Sequence, residues 1–134
     1  MFRYSRGVHV YETDMMGITH HSNYLRFCEE ARIAWFFAKG LRVASKEAVF
    51  SLTVYETRVQ HVKPTRYADM VDVDLQLRAR GARLIIQYKL SVQGEVVARA
   101  ETVHCNLDQN FKVQRLEPQL IKLLENEKWT ETWL

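Results

Sequence analysis

The sequence predicts an α+β fold in which a single long helix covers one face of an antiparallel sheet. Apolar residues recur at helical spacing between residues 24 and 38. Four later stretches instead alternate apolar and polar residues, with turn-forming glycines between them, as in strands joined by hairpins. A chain of 134 residues with 47% hydrophobic and 26% charged residues is long enough for one globular domain. We therefore expect residues 1–134 to form a single domain.

The first part of the chain is expected to hold one strand, one loop and the long helix. Residues 3–11 alternate in polarity and predict a strand, and residues 12–21 form a polar loop. Ser22 or Asn23 is a suitable N-cap for the helix, and Gly40 is suited to end it. The buried face of this helix is predicted to consist of Tyr24, Phe27, Cys28, Ala31, Ala34, Trp35 and Ala38.

The rest of the chain is expected to form four strands and a short C-terminal helix. A connection over residues 41–49 precedes the strands, and Gly81 and Gly94 mark turns between them. Pro118 begins a short amphipathic helix, and the apolar tail 129–134 is suited to docking on the domain. The shared strand faces are predicted to be Thr53, Tyr55, Thr57, Val59 and His61, with an end near Pro64; Val71, Val73, Leu75, Leu77 and Ala79; Leu84, Ile86, Tyr88, Leu90 and Val92; and Val96, Ala98, Ala100, Thr102 and His104.

Composition and charge exclude several classes of protein. The net charge of +3 comes from scattered residues, whereas nucleic-acid binding requires a clustered basic stripe. No apolar run approaches the ~20 residues that span a bilayer, and the N-terminus lacks an apolar signal core, so we expect a cytoplasmic protein. Cys28 and Cys105 lie too far apart in sequence for a metal or redox motif, and Cys28 is expected to be a core thiol.

The loop before the helix is the best candidate for a reactive site. Asp14 and the turn-forming Gly17 lie just before two histidines, His20 and His21, at the expected helix start. The free N–H groups and the dipole at such an end favour negative charge, and a carboxylate there is suited to reaction with a carbonyl group. The alternative is that Asp14 only holds the loop together through backbone hydrogen bonds.

The other histidines give weaker indications. His20 and His21 are adjacent and lack the i,i+4 spacing of a helical zinc motif. His61 and His104 fall on faces predicted to point inward, where a neutral, hydrogen-bonded core histidine is expected. A metal site built from dispersed residues stays an alternative. The sequence has no Gly-x-Ser-x-Gly motif, glycine-rich phosphate loop or dinucleotide-binding motif.

Several fixed spacings around this loop resemble a known family. The segment Thr13-Asp14-x-x-Gly17-Ile18-x-x-His21-x-x-Tyr24, followed by Glu29-x-Ala31-Arg32, resembles the signature of the 4-hydroxybenzoyl-CoA thioesterase family. Within that family, the sequence is most similar to the acyl-CoA thioesterases found with the bacterial Tol–Pal system. Weaker similarity extends over nearly the whole chain. Departures from the family pattern are Thr19 in place of valine, and Met15 and Met16 in place of small residues.

The resemblance implies a hotdog fold, a long central helix wrapped by a five-stranded antiparallel sheet, and roles for six residues. Asp14 matches the catalytic acid, Gly17 the turn next to the substrate, and the His21 backbone N–H the oxyanion donor. The His21 side chain orients water or substrate, or else packs in the loop. Tyr24 contacts substrate or packs in the core. Arg80 and Arg83 bind coenzyme A phosphates or are solvated hairpin charges.

The reaction implied by the resemblance is hydrolysis of acyl-CoA thioesters, with Asp14 as nucleophile or general base. It needs no metal and no bound cofactor, because coenzyme A arrives as part of the substrate. Homodimers or homotetramers with active sites at the subunit boundary are expected. The alternatives are an acyl carrier protein thioesterase and a non-catalytic hotdog that binds acyl-CoA or a protein. A hotdog dehydratase or hydratase would need a His/Asp arrangement on the helix that Glu29 and Glu30 do not supply.

Overall fold

The computed structural model describes residues 1–41 and 52–134 and has the predicted α+β architecture. The predicted connection over residues 41–49 lies outside the described residues except for Leu41. The elements, in chain order, are β1 (Phe2–Gly7), a 3₁₀ turn (Val10–Glu12), α1 (Ser22–Ala38), β2 (Leu52–His61), β3 (Met70–Arg80), β4 (Arg83–Val92), β5 (Glu95–Leu107), β6 (Val113–Gln114) and α2 (Pro118–Leu124).

The described strands form one antiparallel sheet in the order β1-β3-β4-β5-β2, and the short β6 pairs with the end of β5. The β3–β4 and β4–β5 connections are tight hairpins, as predicted. Gly81 and Gly94 have φ values of +61° and +80°, a region in which glycine is favoured. This order leaves β1 and β2 as the two edge strands of the sheet.

Helix α1 packs across one face of the sheet, and its predicted apolar face is largely confirmed. Phe27, Cys28, Ala31 and Trp35 are completely buried in a core that they share with inward residues of β3, β4 and β5. The helix-side faces predicted for β3 and β4 are buried as expected except at their ends, where Ala79 is exposed and Val92 is half-buried. Burial of these apolar side chains is the main source of stability for the layer.

The start of α1 differs from the prediction by one or two residues. Ser22 is the first helical residue, and neither Ser22 nor Asn23 is the N-cap. The ring nitrogen Nδ1 of His20 accepts the Ser22 N–H at 3.2 Å and lies 2.8 Å from Ser22 Oγ. The side-chain amide of Asn23 donates instead to the Glu12 carbonyl at 2.8 Å. A histidine ring therefore supplies the acceptor that the first helical amide needs.

The first strand is shorter than predicted, because β1 ends at Gly7 rather than near residue 11. Val8 leaves the ladder and pairs with the loop before β3: its N–H donates to the Asp69 carbonyl at 2.9 Å, and its carbonyl accepts the Ala68 N–H at 3.0 Å. The chain then makes the 3₁₀ turn that leads into the loop.

The face predicted for β2 is only partly correct, because a β-bulge interrupts this strand. Val54 pairs with His104, whereas Glu56 pairs with Val103, so Tyr55 is the extra residue. The bulge reverses the alternation and places Val54, rather than Thr53 or Tyr55, on the same face as Thr57, Val59 and His61.

The C-terminal tail covers the face of the sheet opposite α1. The N–H groups of Thr130 and Trp133 donate to the side-chain oxygens of Gln76 and Gln87 at 3.1 and 2.8 Å. Arg78 lies 4.1 Å above the ring of Trp129, and Lys89 lies 4.6 Å from the ring of Trp133. The predicted docking of the tail is therefore present. Neither of the two described helices has the length and apolar character needed to cross a membrane.

Candidate active site

The loop before α1 is a tight hairpin that presents Asp14 at its corner. Thr13 and Thr19 form an antiparallel bridge, and the Asp14 N–H donates to the Ile18 carbonyl at 2.8 Å. The Gly17 N–H closes the turn on the Asp14 carbonyl at 3.0 Å, and its φ of +79° explains why glycine is suited to this position.

The two carboxylate oxygens of Asp14 have different environments. Oδ1 accepts the Met16 N–H at 2.8 Å, which fixes the side chain against its own loop. Within residues 1–41 and 52–134, Oδ2 has no hydrogen-bond partner. The side chain is only half-buried. Asp14 thus has the loop-stabilising role that was the alternative interpretation, and it also keeps one oxygen available for chemistry.

Asp14 lies at a cavity of about 370 Å³ between the loop, the start of α1 and the end of β2. His21 and Tyr24 of the predicted site line this cavity together with His61 and Lys63. His61 was expected in the core, and that prediction is wrong: its side chain is exposed at the end of an edge strand. Strand alternation predicted the face of His61, but it gave no indication that α1 covers the end of β2 only partly.

The histidine rings form a connected group at this cavity. The ring centroids of His20 and His21 lie 4.2 Å apart, and those of His21 and His61 lie 6.5 Å apart, edge to face. Partial burial, and secondarily His21, lowers the pKa of His61 below 6.5, so its imidazole is neutral near pH 7. Among residues 1–41 and 52–134, no three His, Cys, Asp or Glu side chains are placed to hold a metal ion.

Tyr24 is held rigidly below the cavity. Its side chain is 3% exposed, and its hydroxyl lies 3.0 Å from Thr65 Oγ1. Thr65 Oγ1 donates to Thr19 Oγ1 at 2.6 Å, and Thr19 Oγ1 donates to the Thr65 carbonyl at 3.1 Å. The ring of Tyr24 meets His61 at 5.0 Å. The threonine at position 19 is therefore explained by this buried hydroxyl cluster, which a valine could not complete.

The backbone amides at the start of α1 are almost all occupied. Ser22 N–H is bound by the His20 ring, Asn23 N–H by the His20 carbonyl at 3.0 Å, and Tyr24 N–H by the His21 carbonyl at 3.3 Å. The His21 N–H has no hydrogen-bond partner in the part of the chain that the structure describes. It is thus available to an anionic ligand, in a position where the helix dipole favours negative charge.

A buried ion pair that sequence reasoning missed supports this loop. Glu12 is 5% exposed and accepts hydrogen bonds from Arg6 Nη1 at 2.5 Å and from the His9 N–H at 2.8 Å. Burial opposes the charge on Glu12, but these two donors hold its pKa below the usual value. The Glu12 carbonyl accepts the His20 N–H and the Asn23 side-chain amide, both at 2.8 Å. This pair therefore ties the loop to α1.

Arg80 and Arg83 lie at the other end of the sheet from Asp14. His61 pairs with Ala98 of β5, Ala98 pairs with Leu90 of β4, and Leu90 pairs with Val73 of β3. His61 and Val73 therefore lie at the same height in the sheet. Arg80 is seven residues beyond Val73, or about 23 Å along the strand. The Arg83 guanidinium lies 4.7 Å above the ring of Tyr55. Within one chain, the structure thus brings together the predicted acid, histidine and tyrosine but not the two arginines.

A long helix across an antiparallel sheet is the architecture of the hotdog thioesterases. The family model of the thioesterase-like superfamily matches residues 8–126, and the chain belongs to this family. The narrower 4-hydroxybenzoyl-CoA or Tol–Pal-associated subfamily stays a prediction.

Individual relatives agree with this family. A protein of Aquifex aeolicus, provisionally named an esterase, is 31% identical over 93% of this chain and 98% of the relative. A 1,4-dihydroxy-2-naphthoyl-CoA hydrolase of Synechococcus elongatus is 25% identical over 90% of this chain and 92% of its own length. The solved structure of a 1,4-dihydroxy-2-naphthoyl-CoA thioesterase from Synechocystis superposes with a TM-score of 0.87 at 24% identity, covering 93% of this chain and 96% of that one. The predicted hotdog fold is confirmed.

Proposed function

We propose that this protein hydrolyses acyl-CoA thioesters to the free acid and coenzyme A. The observation that carries the proposal is that Asp14, whose Oδ2 is free, and His21, whose N–H is unoccupied, line the same cavity. Membership of the thioesterase-like superfamily supports hydrolysis. A relative named as a hydrolase of a coenzyme A thioester supports this carrier, with acyl carrier protein as the alternative.

The chemistry requires only a carboxylate and an oxyanion donor. In one route, Asp14 attacks the carbonyl carbon, the C–S bond breaks, and water hydrolyses the mixed anhydride that forms. In the other, Asp14 removes a proton from water as the water oxygen bonds to the carbonyl carbon, and the coenzyme A thiolate then leaves. In both routes, the His21 N–H would stabilise the negative charge on the carbonyl oxygen.

We further propose that residues 1–134 act as one hotdog domain in the cytoplasm, without a metal or a bound cofactor. Cys28 and Cys105 are free, buried thiols, which suits a reducing compartment. The neutral His61 imidazole is suited to holding the attacking water next to Asp14. The prediction that His61 is a core histidine did not include this role.

The active unit is proposed to be a homodimer joined through β2, with a homotetramer built from two such dimers. β2 is a ten-residue edge strand whose side chains are mostly exposed, and among residues 1–41 and 52–134 it pairs along one edge only, with β5. A long, exposed edge is a surface that proteins normally pair or cover. Two copies of β2 related by a two-fold axis would extend the sheet across the dimer.

This pairing would also explain the position of the two arginines. In an antiparallel β2–β2 pair, the start of the partner's strand lies beside the end of this one, where His61 and the Asp14 cavity are. The start of β2 is level with Arg83, because Thr53 pairs with Cys105 and Cys105 pairs with Arg83. The partner's hairpin would then lie about 14 Å from His61, three strand spacings away. Arg80 and Arg83 could thus bind the phosphates of a substrate held by Asp14 of the other chain.

Replacing Asp14 with Asn tests the proposed mechanism. The substitution keeps size and polarity but removes the nucleophile or base, so we expect turnover to fall at least ~100-fold while the fold is retained. Release of coenzyme A from a panel of acyl-CoAs, followed with a thiol reagent, measures the effect, with Asp108→Asn as a matched control in a distant turn. Near-normal turnover in a folded Asp14→Asn protein would remove Asp14 from the mechanism.

Binding of acyl-CoA by a wild-type protein that never hydrolyses it would favour a non-catalytic hotdog.

A further inference from the structure

A second cavity lies on the same side of the sheet as the Asp14 cavity, between α1 and β2. It has a volume of about 200 Å³, and Arg32, Thr57 and Thr102 lie on its wall. Tyr24 and Leu25, neighbours in α1, line the first and second cavities respectively. Both cavities therefore lie at the boundary between the helix and the edge strand, which we call the groove.

The distance between the two cavities follows from β2. His61 lines the first and Thr57 the second, and both point to the helix side of the sheet. They are four residues apart, or about 13 Å along the strand. The bulge at Tyr55 matters here, because it turns Val54 to the same side and so lets Val54 line the second cavity. An acyl group whose thioester lies at Asp14 could extend along this groove toward Arg32.

The far end of the groove is polar, although it borders the core. The Arg32 guanidinium interacts with the hydroxyl of the buried Tyr88. That hydroxyl lies 2.7 Å from Thr102 Oγ1, which lies 2.9 Å from Nε2 of His104. Tyr88, Thr102 and His104 are each at most 2% exposed. The hydroxyl and imidazole groups are thus fixed by one another, and they form a rigid polar wall behind Arg32.

Arg32 lacks the partner that a partly buried cation normally has. In the described ranges 1–41 and 52–134, no carboxylate lies within 4 Å of its guanidinium, although its side chain is half-buried. The other arginine on this cavity, Arg26, is exposed to solvent and donates to Asn23 Oδ1 at 3.0 Å. Arg32 has five N–H donors, and a neutral tyrosine hydroxyl cannot accept from most of them. Donors therefore remain for an oxygen that enters the groove.

We propose that Arg32 is a specificity-determining residue, which recognises an oxygen atom at the far end of the acyl group. The inference rests on the proposed acyl-CoA hydrolysis and narrows its substrate class to acyl groups that carry a hydroxyl or carboxylate away from the thioester. Glu29 lies at the rim of the same cavity and repels a second carboxylate. The hydroxyl is therefore the better match, and a guanidinium provides its charge-assisted hydrogen bond.

Acyl-CoAs of matched length test this substrate class. For each length, the far end of the acyl chain is a methyl, a hydroxyl or a carboxylate, and kcat/KM is measured for the full-length protein. We expect the hydroxyl-ended substrate to exceed the methyl-ended one about 10- to 100-fold at the length that reaches Arg32, with the carboxylate-ended one between them. Equal values for all three ends at every length would overturn the inference.

Variants test whether Arg32 causes the preference for hydroxyl-ended substrates. Arg32→Met removes the donors but keeps a long side chain, so the hydroxyl preference should disappear while the methyl-ended substrate keeps its kcat/KM within about threefold. Arg99→Met, the same change on the opposite face of the sheet, should leave the preference intact. If Arg32→Met does not fold, Arg32→Lys keeps the charge but loses the planar fork, and it should reduce the preference in part. A preference that persists in a folded Arg32 variant would overturn the inference.

A binding measurement separates this inference from the proposed function. S-acylmethyl coenzyme A thioethers contain no thioester, and their Kd values can be measured by calorimetry even if the protein hydrolyses nothing. Tighter binding of the hydroxyl-ended thioether, lost in Arg32→Met, would support the recognition site whether or not hydrolysis occurs. Equal Kd values for hydroxyl-ended and methyl-ended thioethers would overturn it. So would an Arg32→Met protein whose only change is weaker dimerisation, because Arg32 would then bind a second copy of the chain.

Discussion

His104 carries the largest pKa shift among the described histidines. Burial, and to a smaller extent the charge of Arg32, lowers the pKa of this histidine to about 3. Its ring is 2% exposed, and its Nε2 lies 2.9 Å from the Thr102 hydroxyl. The folded protein therefore keeps His104 neutral under conditions in which the same histidine in the unfolded chain becomes protonated.

This difference predicts a specific loss of stability in acid. Below the ordinary pKa of 6.5 the unfolded chain binds a proton that the folded chain refuses until about pH 3. Stability from this residue is thus present at neutral pH and lost as the pH falls, by up to about 1.4 kcal/mol per pH unit. In His104→Gln, the free energy of unfolding should fall less steeply between about pH 6 and 4. Urea titrations at several pH values measure both slopes, and parallel slopes would contradict the prediction.

At the scale of single residues, the sequence predicts which residues belong to a face or a site more readily than it predicts the surroundings of each side chain. His61 and His104 have equivalent positions in alternating strands, and the sequence gives both the same inward face. The structure buries only His104, since His61 lies at the end of an edge strand, where Tyr24 of α1 contacts its ring but leaves the side chain exposed. The sequence could not predict the free Oδ2 of Asp14 or the pairing of Glu12 with Arg6, because both depend on the geometry of the loop.

Among the elements, the C-terminal tail has an unusual role, since six residues without helix or strand structure cover one face of the sheet. Gln76 and Gln87 are buried on that face and bond to each other, with 2.9 Å from Gln76 Nε2 to Gln87 Oε1. Their remaining hydrogen bonds go mainly to the tail backbone, including Gln76 Nε2 to the Glu131 carbonyl at 2.9 Å. The tail thus satisfies polar groups that burial would otherwise leave without partners.

Removing the main anchor of the tail should destabilise the domain. Trp133 is 8% exposed, so we expect Trp133→Ala to lower the free energy of unfolding by about 3 kcal/mol, as for other large aromatic residues. Trp129→Ala is the matched control: this ring is half-buried and lies under the Arg78 guanidinium, so about 1 kcal/mol is expected. Chemical denaturation measures both. Equal, small effects would mean that the tail contributes little to stability.

The helices and strands could be predicted from the sequence where the pattern of apolar residues is long and regular. The α1 pattern extends over four turns, and β3 alternates without interruption, so both appear at the predicted positions. The bulge in β2 and the two-residue β6 could not be predicted, because each depends on pairing with β5 rather than on local sequence. The hydrogen bond from the Ser22 N–H to the His20 ring was missed, since a histidine ring that accepts from a helix start has no simple sequence signal.

For the molecule as a whole, the two faces and two edges of the sheet differ in what they can bind. One face holds α1, the tail covers the other, and β1 is a short edge. The long edge at β2 is therefore the best surface for a two-fold partner. Because the tail covers the outer face of the sheet, a tetramer would form more readily through the exposed side of α1, where Phe37 is 65% exposed.

Mixing two variants with different defects tests whether a second subunit completes the active site. Asp14→Asn lacks the acid, and the double variant Arg80→Ala/Arg83→Ala should have a raised KM for acyl-CoA with a smaller change in kcat. If each site combines Asp14 of one chain with the hairpin of the other, every mixed dimer contains one intact site. Subunit exchange at equal concentrations should then restore roughly a quarter of the wild-type sites, as expected for two-fold pairing. Activity and light scattering of the exchanged sample measure the outcome. A fully active monomer, or mixed dimers without any restored activity at low substrate concentration, would contradict the shared site.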